Sequence, residues 1–371
     1  MKTAPVDPAL PLLAAILLRD SCSCPECRDS GSGQRLGSVT DLPADVYVIE
    51  ARAVGNSVEV IFGPDGHRAV FSRAWLAEQG SPAEDDRAKD DRTEDAKRLW
   101  TSGDAAALPG QSWPRYLAGE RERARCLDAL LRDGFFLLRD VPCRAGTVLD
   151  VAASMGYVRE TNYGRLFDVR VEATPTNLAY TGLPIAPHTD NPYRDPVPTV
   201  QLLHCLATAV EGGDSGLVDG FLAAALLRAE DPSAFEILAR TPVTFAYRDA
   251  TTELRATRPM IGVDPRGRIR EVRFNSRSMQ PPRPGRDGSP ERTAAFYAAY
   301  RAFAEVIGRP DLMLTFRLGP ADCLVLDNTR VLHARTGFRA TGRRHLQGCY
   351  ADLDGVASTL AVLRRPRAEA V

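Results

Sequence analysis

Residues 81–97 constrain the fold more than any other stretch of the chain. Their sequence, SPAEDDRAKDDRTEDAK, contains no hydrophobic residue larger than alanine. Such a segment cannot bury enough apolar surface to join a core, and it is typical of a solvated linker or a frayed helix. The chain is therefore predicted to fold as two units. Residues 1–95 form an N-terminal domain that ends in this charged linker, and residues 96–371 form a larger, catalytic-sized domain.

The overall composition excludes several classes of protein. The 371 residues are 26% charged and 44% hydrophobic, with a formal net charge of -1. This balance gives no basic field for nucleic acid or an anionic membrane. An apolar run at residues 9–18 fits a buried strand as well as a signal-peptide core, and it is shorter than the ~20 residues that cross a bilayer. We expect a cytoplasmic protein, whose eight cysteines are thiols or metal ligands.

The hydrophobic pattern predicts an α+β protein. In the first unit, residues 46–49 and 58–62 are strand-like. In the second, short apolar runs that predict buried strands alternate irregularly with segments of helical spacing, which favours helices around a sandwich of sheets. The strand runs are 135–138, 200–205 and 324–326, and the helical segments are 217–228 and 293–307. No glycine-rich loop follows a strand, which excludes a Rossmann fold or a P-loop.

A histidine and a carboxylate lie two residues apart in Pro187-His188-Thr189-Asp190. In an extended segment, side chains at i and i+2 point to the same face, so both could bind one metal ion. His333, after another apolar strand, could supply a third ligand. Two imidazoles and one carboxylate on one face of an octahedron are the ligand set of non-haem iron oxygenases, which need the other positions for an oxoacid and oxygen. Alone, such a pair also arises by chance.

Arg344, eleven residues beyond His333, strengthens the metal interpretation. An arginine on the strand after the distal histidine can pair with a carboxylate through two hydrogen bonds. We therefore predict that Arg344 anchors the oxoacid.

The first unit carries three thiols in Cys22-Ser23-Cys24-Pro25-Glu26-Cys27, and His67 follows downstream. Three thiolates and one imidazole satisfy tetrahedral zinc, and four protein ligands leave no open position for chemistry. The pattern predicts a structural zinc site that supports folding. The alternative is a chance cluster of surface cysteines.

The chain resembles the γ-butyrobetaine and trimethyllysine hydroxylase branch of the taurine-dioxygenase-like iron(II)- and 2-oxoglutarate-dependent oxygenases. The motifs that carry the resemblance occur in order over most of the second unit. They are Tyr163-Gly164, Asn177-Leu178-Ala179-Tyr180, His188-Thr189-Asp190, Gln201-Leu202-Leu203-His204-Cys205, Gly212-Gly213-Asp214-Ser215, Val218-Asp219-Gly220, Phe274-Asn275, Asp327-Asn328 to His333, Arg344-His345-Leu346 and Tyr350-Ala351-Asp352.

This resemblance implies a double-stranded β-helix (jelly-roll) in the second unit and a small zinc-binding, β-rich domain in the first. It implies iron ligands at His188, Asp190 and His333, Arg344 on the distal carboxylate of 2-oxoglutarate, and Leu203 against the oxoacid. Proteins of this branch bind structural zinc through residues that match Cys22, Cys24, Cys27 and His67, so these four are the zinc ligands that the resemblance implies. Its members are commonly homodimers, so a homodimer is expected.

The resemblance also implies a cage for a quaternary ammonium group, which aromatic faces hold because it cannot donate a hydrogen bond. The cage positions are Tyr163, Phe167, Tyr180 and Tyr350. Phe167 replaces the usual tryptophan, which is the stronger cation–π partner. The alternative for any one of these rings is plain core packing.

Two amides match positions that contact the anionic end of the substrate in this branch, Asn177 and Asn275. Arg277, two residues beyond Asn275, could add positive charge there. The alternative for Arg277 is an arginine in a solvated loop.

The predicted function is iron(II)- and 2-oxoglutarate-dependent hydroxylation of a small trimethylammonium acid, most simply γ-butyrobetaine, to carnitine, with molecular oxygen as the oxidant. Within the same class, a trimethylammonium phosphonate or trimethyllysine is the alternative substrate. Two alternatives belong to other classes of protein. One is a non-catalytic metal-binding or regulatory protein, and the other is a zinc-dependent interaction module in which the histidine–aspartate pair is incidental.

Overall fold

The computed structural model describes residues 13–80, 97–171, 180–208, 211–281, 289–339 and 344–365. The chain divides into two compact units, Met1–Asp95 and Ala96–Val371. Of the predicted charged linker, residues 81–96 lie outside the described residues. No helix in the described ranges is long and apolar enough to cross a membrane.

Over residues 13–80, the first unit is a three-stranded antiparallel sheet with two short α-helices. Its elements are α1 (Ala15–Asp20), β1 (Tyr47–Val54), β2 (Ser57–Gly63), β3 (Arg68–Ser72) and α2 (Arg73–Gly80). β2 is central and buries Val58, Val60 and Phe62 at alternate positions, as a sheet with one covered face requires. The two predicted strands are confirmed. The strand expected at residues 9–18 is wrong over its described part, because residues 15–18 open α1 and bury Leu18 from a helix.

The second unit contains fourteen strands and seven α-helices within its described residues. The strands are β4 (Gly110–Ser112), β5 (Phe135–Arg139), β6 (Phe167–Arg170), β7 (Ile185–His188), β8 (Val200–Thr208), β9 (Ser215–Asp219), β10 (Val243–Arg248), β11 (Glu253–Arg258), β12 (Ile261–Val263), β13 (Ile269–Val272), β14 (Leu314–Phe316), β15 (Cys323–Asp327), β16 (Val331–Arg335) and β17 (Arg344–Ala351). The helices are α3 (Trp113–Ala118), α4 (Glu120–Asp133), α5 (Thr147–Ala153), α6 (Gly220–Glu230), α7 (Pro232–Arg240), α8 (Pro290–Ile307) and α9 (Leu353–Leu363).

Two sheets pack face to face. One has six strands in the order β4-β5-β15-β8-β17-β6, and the other has four in the order β14-β9-β16-β7. A shared core joins them, with Leu324 and Leu326 from the larger sheet against Leu217 and Val331 from the smaller. The predicted α+β sandwich of sheets is confirmed.

Helices cover both outer faces. On the larger sheet, Val325 and Leu202 pack with α4 and α5 residues such as Leu130 and Val151. On the smaller sheet, Val218 and Leu332 pack with α6, α7 and α8, and the hairpins β10–β11 and β12–β13 complete that layer.

The helix predicted at residues 217–228 begins too early. Leu217 to Asp219 belong to β9, which pairs with β16, and the helix runs over Gly220–Glu230. Asp219 sets the boundary, because its side chain accepts the backbone N–H groups of Phe221 and Leu222 as an N-cap.

Candidate active site

Strand pairing brings the histidine–aspartate motif to the distal histidine. His188 ends β7 (Ile185–His188), and His333 lies on β16 (Val331–Arg335) directly opposite it in the antiparallel register. The two imidazole centroids are 4.2 Å apart. Asp190 follows, with its Oδ1 3.3 Å from Nε2 of His188. The potential ligand atoms of the three residues all lie within 4.8 Å of one another.

This arrangement fits a metal ion. Ligands about 2.1 Å from an octahedral ion and at right angles to each other are about 3.0 Å apart, close to the distance between His188 and Asp190. The Nδ1 atom of His188 lies 2.9 Å from the carbonyl oxygen of Ala186. A donor at Nδ1 leaves the lone pair of Nε2 directed at the shared centre. Burial, with the neighbouring His188, lowers the pKa of His333 to about 3, so its imidazole is neutral and ready to ligate.

Hydrogen bonds fix the Asp190 carboxylate and its backbone. Oδ2 accepts from Nε2 of Gln201 at 2.7 Å and from the Tyr350 hydroxyl at 3.0 Å. Asn328 accepts the backbone N–H of Asp190 at 2.7 Å and donates to its carbonyl oxygen at 2.9 Å. Burial alone would raise the pKa of Asp190, but its contact with the His188 imidazole and the positive charge of Arg277 hold that pKa well below its usual range. The carboxylate is therefore ionised.

The residue between the two motif ligands is bound to the segment after β13. The backbone N–H of Thr189 donates to the Phe274 carbonyl at 2.9 Å, and its carbonyl oxygen accepts from Nδ2 of Asn275 at 3.0 Å. Oδ1 of Asn275 accepts the backbone N–H of Arg277 at 3.2 Å. Asn275, predicted to contact substrate, thus also holds the loop that carries His188 and Asp190.

A cavity of 510 Å³ opens at the three potential ligands. Its lining includes every predicted oxoacid and substrate residue that the structure describes, namely Tyr163, Phe167, Tyr180, Leu203, Asn275, Arg277, Arg344 and Tyr350. Asn177 lies outside the described residues.

Aromatic rings form a continuous wall of this cavity. Phe167 lies 5.2 Å from Tyr350 and 6.2 Å from Tyr163, measured between ring centroids. Tyr247 adds a ring 5.8 Å from Tyr163, and Tyr193 stacks 5.1 Å from Tyr247. The hydroxyl oxygens of Tyr163 and Tyr193 are 2.9 Å apart.

Tyr193 and Tyr247 were not predicted from the sequence. Tyr193 lies three residues after Asp190, and that proximity was a usable signal. Tyr247 lies on the β10–β11 hairpin, remote from every recognised motif, so nothing in the sequence identified it.

Two guanidinium groups in the cavity have no hydrogen bond or ion pair to the described residues. Arg344 is buried, with its guanidinium carbon 5.4 Å from the centroid of the Phe338 ring. Arg277 is exposed to the cavity, and only its backbone N–H is engaged. A charged group removed from bulk water needs a partner. The buried Arg344 therefore favours an anionic group beside it, and the guanidinium of Arg277 is available in the cavity for a second one.

Arg335 is a further cavity residue that was not predicted from the sequence. It lies two residues after His333 on β16, and its Nη2 donates to the carbonyl oxygens of Thr181 and Leu183, both at 2.7 Å. Burial, with the charges of Arg344 and Arg277, lowers the pKa of Arg335 to about 10. Three arginines therefore line the cavity, which favours anionic ligands.

The first unit brings its predicted zinc ligands together. The Sγ atoms of Cys22, Cys24 and Cys27 lie 3.2, 3.7 and 3.6 Å from Nε2 of His67. Sulfur and nitrogen ligands bound tetrahedrally to zinc at their usual lengths are about 3.5 Å apart. The cluster therefore has the dimensions of a closed four-ligand zinc site.

Sequence comparisons place the chain among known enzymes. Residues 103–350 match the family described as "Taurine catabolism dioxygenase TauD, TfdA family", and residues 11–77 match "Gamma-butyrobetaine hydroxylase-like, N-terminal". The gamma-butyrobetaine dioxygenase of Pseudomonas sp. (strain AK-1) is 34% identical, over 94% of this chain and 89% of that one. The human gamma-butyrobetaine dioxygenase is 31% identical, over 95% and 92%.

A trimethyllysine dioxygenase is also similar. That of Meyerozyma guilliermondii is 29% identical, over 96% of this chain and 92% of that one. The predicted resemblance is thus confirmed, and the facing sheets agree with the jelly-roll that it implied. Because the family matches most of the chain and the relatives align over nearly their full length, the chain belongs to the TauD, TfdA family of dioxygenases.

Proposed function

We propose that this protein is an iron(II)- and 2-oxoglutarate-dependent hydroxylase of a small trimethylammonium acid, with γ-butyrobetaine as the preferred candidate. One observation carries the proposal. A single cavity contains a two-histidine, one-carboxylate set, a buried arginine with no described protein partner and a wall of aromatic rings. The similar proteins named gamma-butyrobetaine dioxygenase support the choice of substrate.

His188, Asp190 and His333 would hold ferrous iron, and Arg344 would pair with the distal carboxylate of 2-oxoglutarate while Leu203 packs against its chain. When bound, ferrous iron and 2-oxoglutarate supply, together with oxygen, the oxidising power for hydroxylation of a C–H bond. The protein's contribution is to bind and orient the substrate carbon beside the metal and to keep water away from it. The neutral imidazole of His333 and the ionised Asp190 are in the protonation states that ligation requires.

The aromatic wall would hold the trimethylammonium group. Tyr163, Phe167, Tyr180 and Tyr350 are the proposed cage, and Tyr247 extends it beside Tyr163. Added rings compensate for the weaker cation–π surface of Phe167. A trimethyllysine dioxygenase is among the relatives, so trimethyllysine remains the alternative substrate whose trimethylammonium group the aromatic wall would hold.

Arg277 would bind the anionic end of the substrate, where a carboxylate or a phosphonate would both suit a guanidinium. Asn275 already uses Nδ2 on Thr189 and Oδ1 on Arg277. Among the described residues, the guanidinium of Arg277 is therefore the main group available to bind the anionic end of the substrate. A phosphonate carries more negative charge, which makes a trimethylammonium phosphonate the second candidate.

Replacing Arg277 with glutamine is expected to raise the KM for γ-butyrobetaine by about 10- to 100-fold, because a charge-assisted hydrogen bond contributes roughly 1.5–3 kcal/mol. Lysine at this position should restore part of the affinity. Steady-state kinetics of R277Q and R277K measure both effects. R240Q, altered on the exposed face of α7, is the control. A KM for R277Q equal to that of R240Q would remove Arg277 from the substrate site.

The function itself is tested by substrate-dependent succinate formation. The panel is γ-butyrobetaine, trimethyllysine, 2-trimethylammonioethylphosphonate and 5,5-dimethylhexanoate, the last a carbon isostere of the betaine in which a neutral tert-butyl group replaces trimethylammonium. We expect the highest kcat/KM for γ-butyrobetaine and almost none for the isostere, which lacks the cation. Equal turnover with all four compounds would overturn the proposed cage.

We further propose that Cys22, Cys24, Cys27 and His67 bind structural zinc. Replacing Cys24 with serine should remove zinc from the purified protein and increase amide exchange in β2 and β3, because metal binding supports the folding of such small units. Metal analysis and hydrogen exchange of the full chain test this. Cys143→Ser, at an exposed cysteine, is the control. A C24S protein with full zinc content would contradict the site. The expected cytoplasmic homodimer remains a prediction.

A further inference from the structure

The two oxygens of the Asp190 carboxylate have different surroundings. Oδ1 faces Nε2 of His188 at 3.3 Å, on the side of the proposed metal. Oδ2 faces away and accepts two hydrogen bonds, from Gln201 at 2.7 Å and from Tyr350 at 3.0 Å. An oxygen that already accepts two hydrogen bonds is a poorer metal ligand, so this geometry selects Oδ1.

The two donors are neighbours across the larger sheet. Gln201 on β8 and Tyr350 on β17 are directly paired in the antiparallel register. Both are almost completely buried, at 1% and 3% exposure. The amide of Gln201 can only turn its NH₂ group to the carboxylate, since its oxygen would be repelled there. The sheet therefore presents two rigid donors to Asp190.

Tyr350 differs from Gln201 because its ring also belongs to the aromatic wall. The ring lines the cavity and lies 5.2 Å from Phe167 between centroids. The ring of Tyr350 is thus part of the surface proposed to bind the cation, and its hydroxyl contacts the carboxylate proposed to bind the metal. A cation over the face of a phenol draws electron density from the ring and strengthens its O–H as a donor.

We infer that Tyr350 is a positioning residue that links the aromatic wall to the metal site, holding Asp190 in one-oxygen ligation together with Gln201 and transmitting the presence of the substrate cation to that ligand. The inference rests on the proposed metal site and adds a role for Tyr350 beyond cation binding. The two parts of the Tyr350 side chain then have different functions, because the ring binds the cation and the hydroxyl donates to the Asp190 carboxylate.

Tyr350→Phe tests this, since it keeps the ring and removes only the hydroxyl. Tyr163→Phe is the matched control, because the Tyr163 hydroxyl contacts Tyr193 and not Asp190. The readouts are the anaerobic dissociation constant for Fe(II) and the visible absorption of the protein with Fe(II) and 2-oxoglutarate, before and after addition of γ-butyrobetaine. We expect Y350F to bind Fe(II) about 10- to 100-fold more weakly and to show a smaller betaine-induced spectral change.

Gln201→Met is a second variant that removes the other donor at similar size, and it should weaken Fe(II) binding while leaving the betaine-induced change in place. Fe(II) affinity and spectral change in Y350F equal to those of Y163F would overturn the inference. A wild-type protein that binds Fe(II) and 2-oxoglutarate but not γ-butyrobetaine would instead contradict the proposed substrate. In that case the Fe(II) affinity of Y350F still decides the contact with Asp190.

Discussion

Replacing His333 with alanine is expected to lower substrate-dependent succinate formation at least about 1000-fold, which corresponds to about 4 kcal/mol of lost transition-state stabilisation. His333 supplies one of only three proposed protein ligands, from the strand that pairs with β7. Two remaining ligands hold the ion too weakly and leave its orientation to the cavity undefined. Measurement of iron content and of kcat on the purified variant tests the prediction.

His345→Ala is the control for this experiment. His345 lies next to Arg344 but its Nε2 contacts Oδ1 of Asp168 at 2.5 Å, outside the proposed ligand set. We expect it to retain iron and most of the activity. An H333A protein that keeps both would contradict the assignment of His333 to the metal.

The second large effect is on stability. Arg330 is fully buried, and its guanidinium donates to both carboxylate oxygens of Asp219, at 3.1 and 2.7 Å. It also donates to the carbonyl oxygens of Arg132 and Arg98, at 2.8 and 2.5 Å. Replacing Arg330 with methionine leaves the buried Asp219 without its countercharge, and we expect the free energy of unfolding to fall by about 3–5 kcal/mol.

Urea unfolding followed by tryptophan fluorescence measures this loss. A Trp75→Phe background confines the signal to the second unit, which holds the other two tryptophans, Trp100 and Trp113. Arg309→Met is the control, because the Arg309–Glu230 pair is 37% and 46% exposed, solvent screens its charges, and its loss should change stability little. Equal costs for R330M and R309M would contradict the importance of the buried pair.

Much of the fold was predictable because its strands carry strong local patterns. Residues 324–326 are apolar at every position, and the structure places them in β15, which is buried on both faces. Leu217 and Val218 were predicted to be helical, because their apolar character also fits a helix. Their pairing with β16, more than a hundred residues later, decides their structure, and no local pattern contains that information.

The candidate site was predictable where chemistry requires particular residue types at particular spacings. His188, Asp190 and His333 fall in that class, and strand pairing brings them together. Tyr247 and Arg335 do not, since each enters the cavity through tertiary packing of a common residue type. The two hydrogen bonds on Asp190 likewise depend on the register of β8 and β17, which the sequence does not reveal.

An anaerobic titration of the wild-type protein tests the central claim most directly. Fe(II) and 2-oxoglutarate are added in turn, followed by γ-butyrobetaine, while visible absorption is recorded. We predict that absorption develops only when Fe(II) and 2-oxoglutarate are both present, at one equivalent of each per chain, and that it shifts when γ-butyrobetaine binds. If Fe(II) and 2-oxoglutarate produce no joint signal, the cavity is not the site of an iron-dependent hydroxylase.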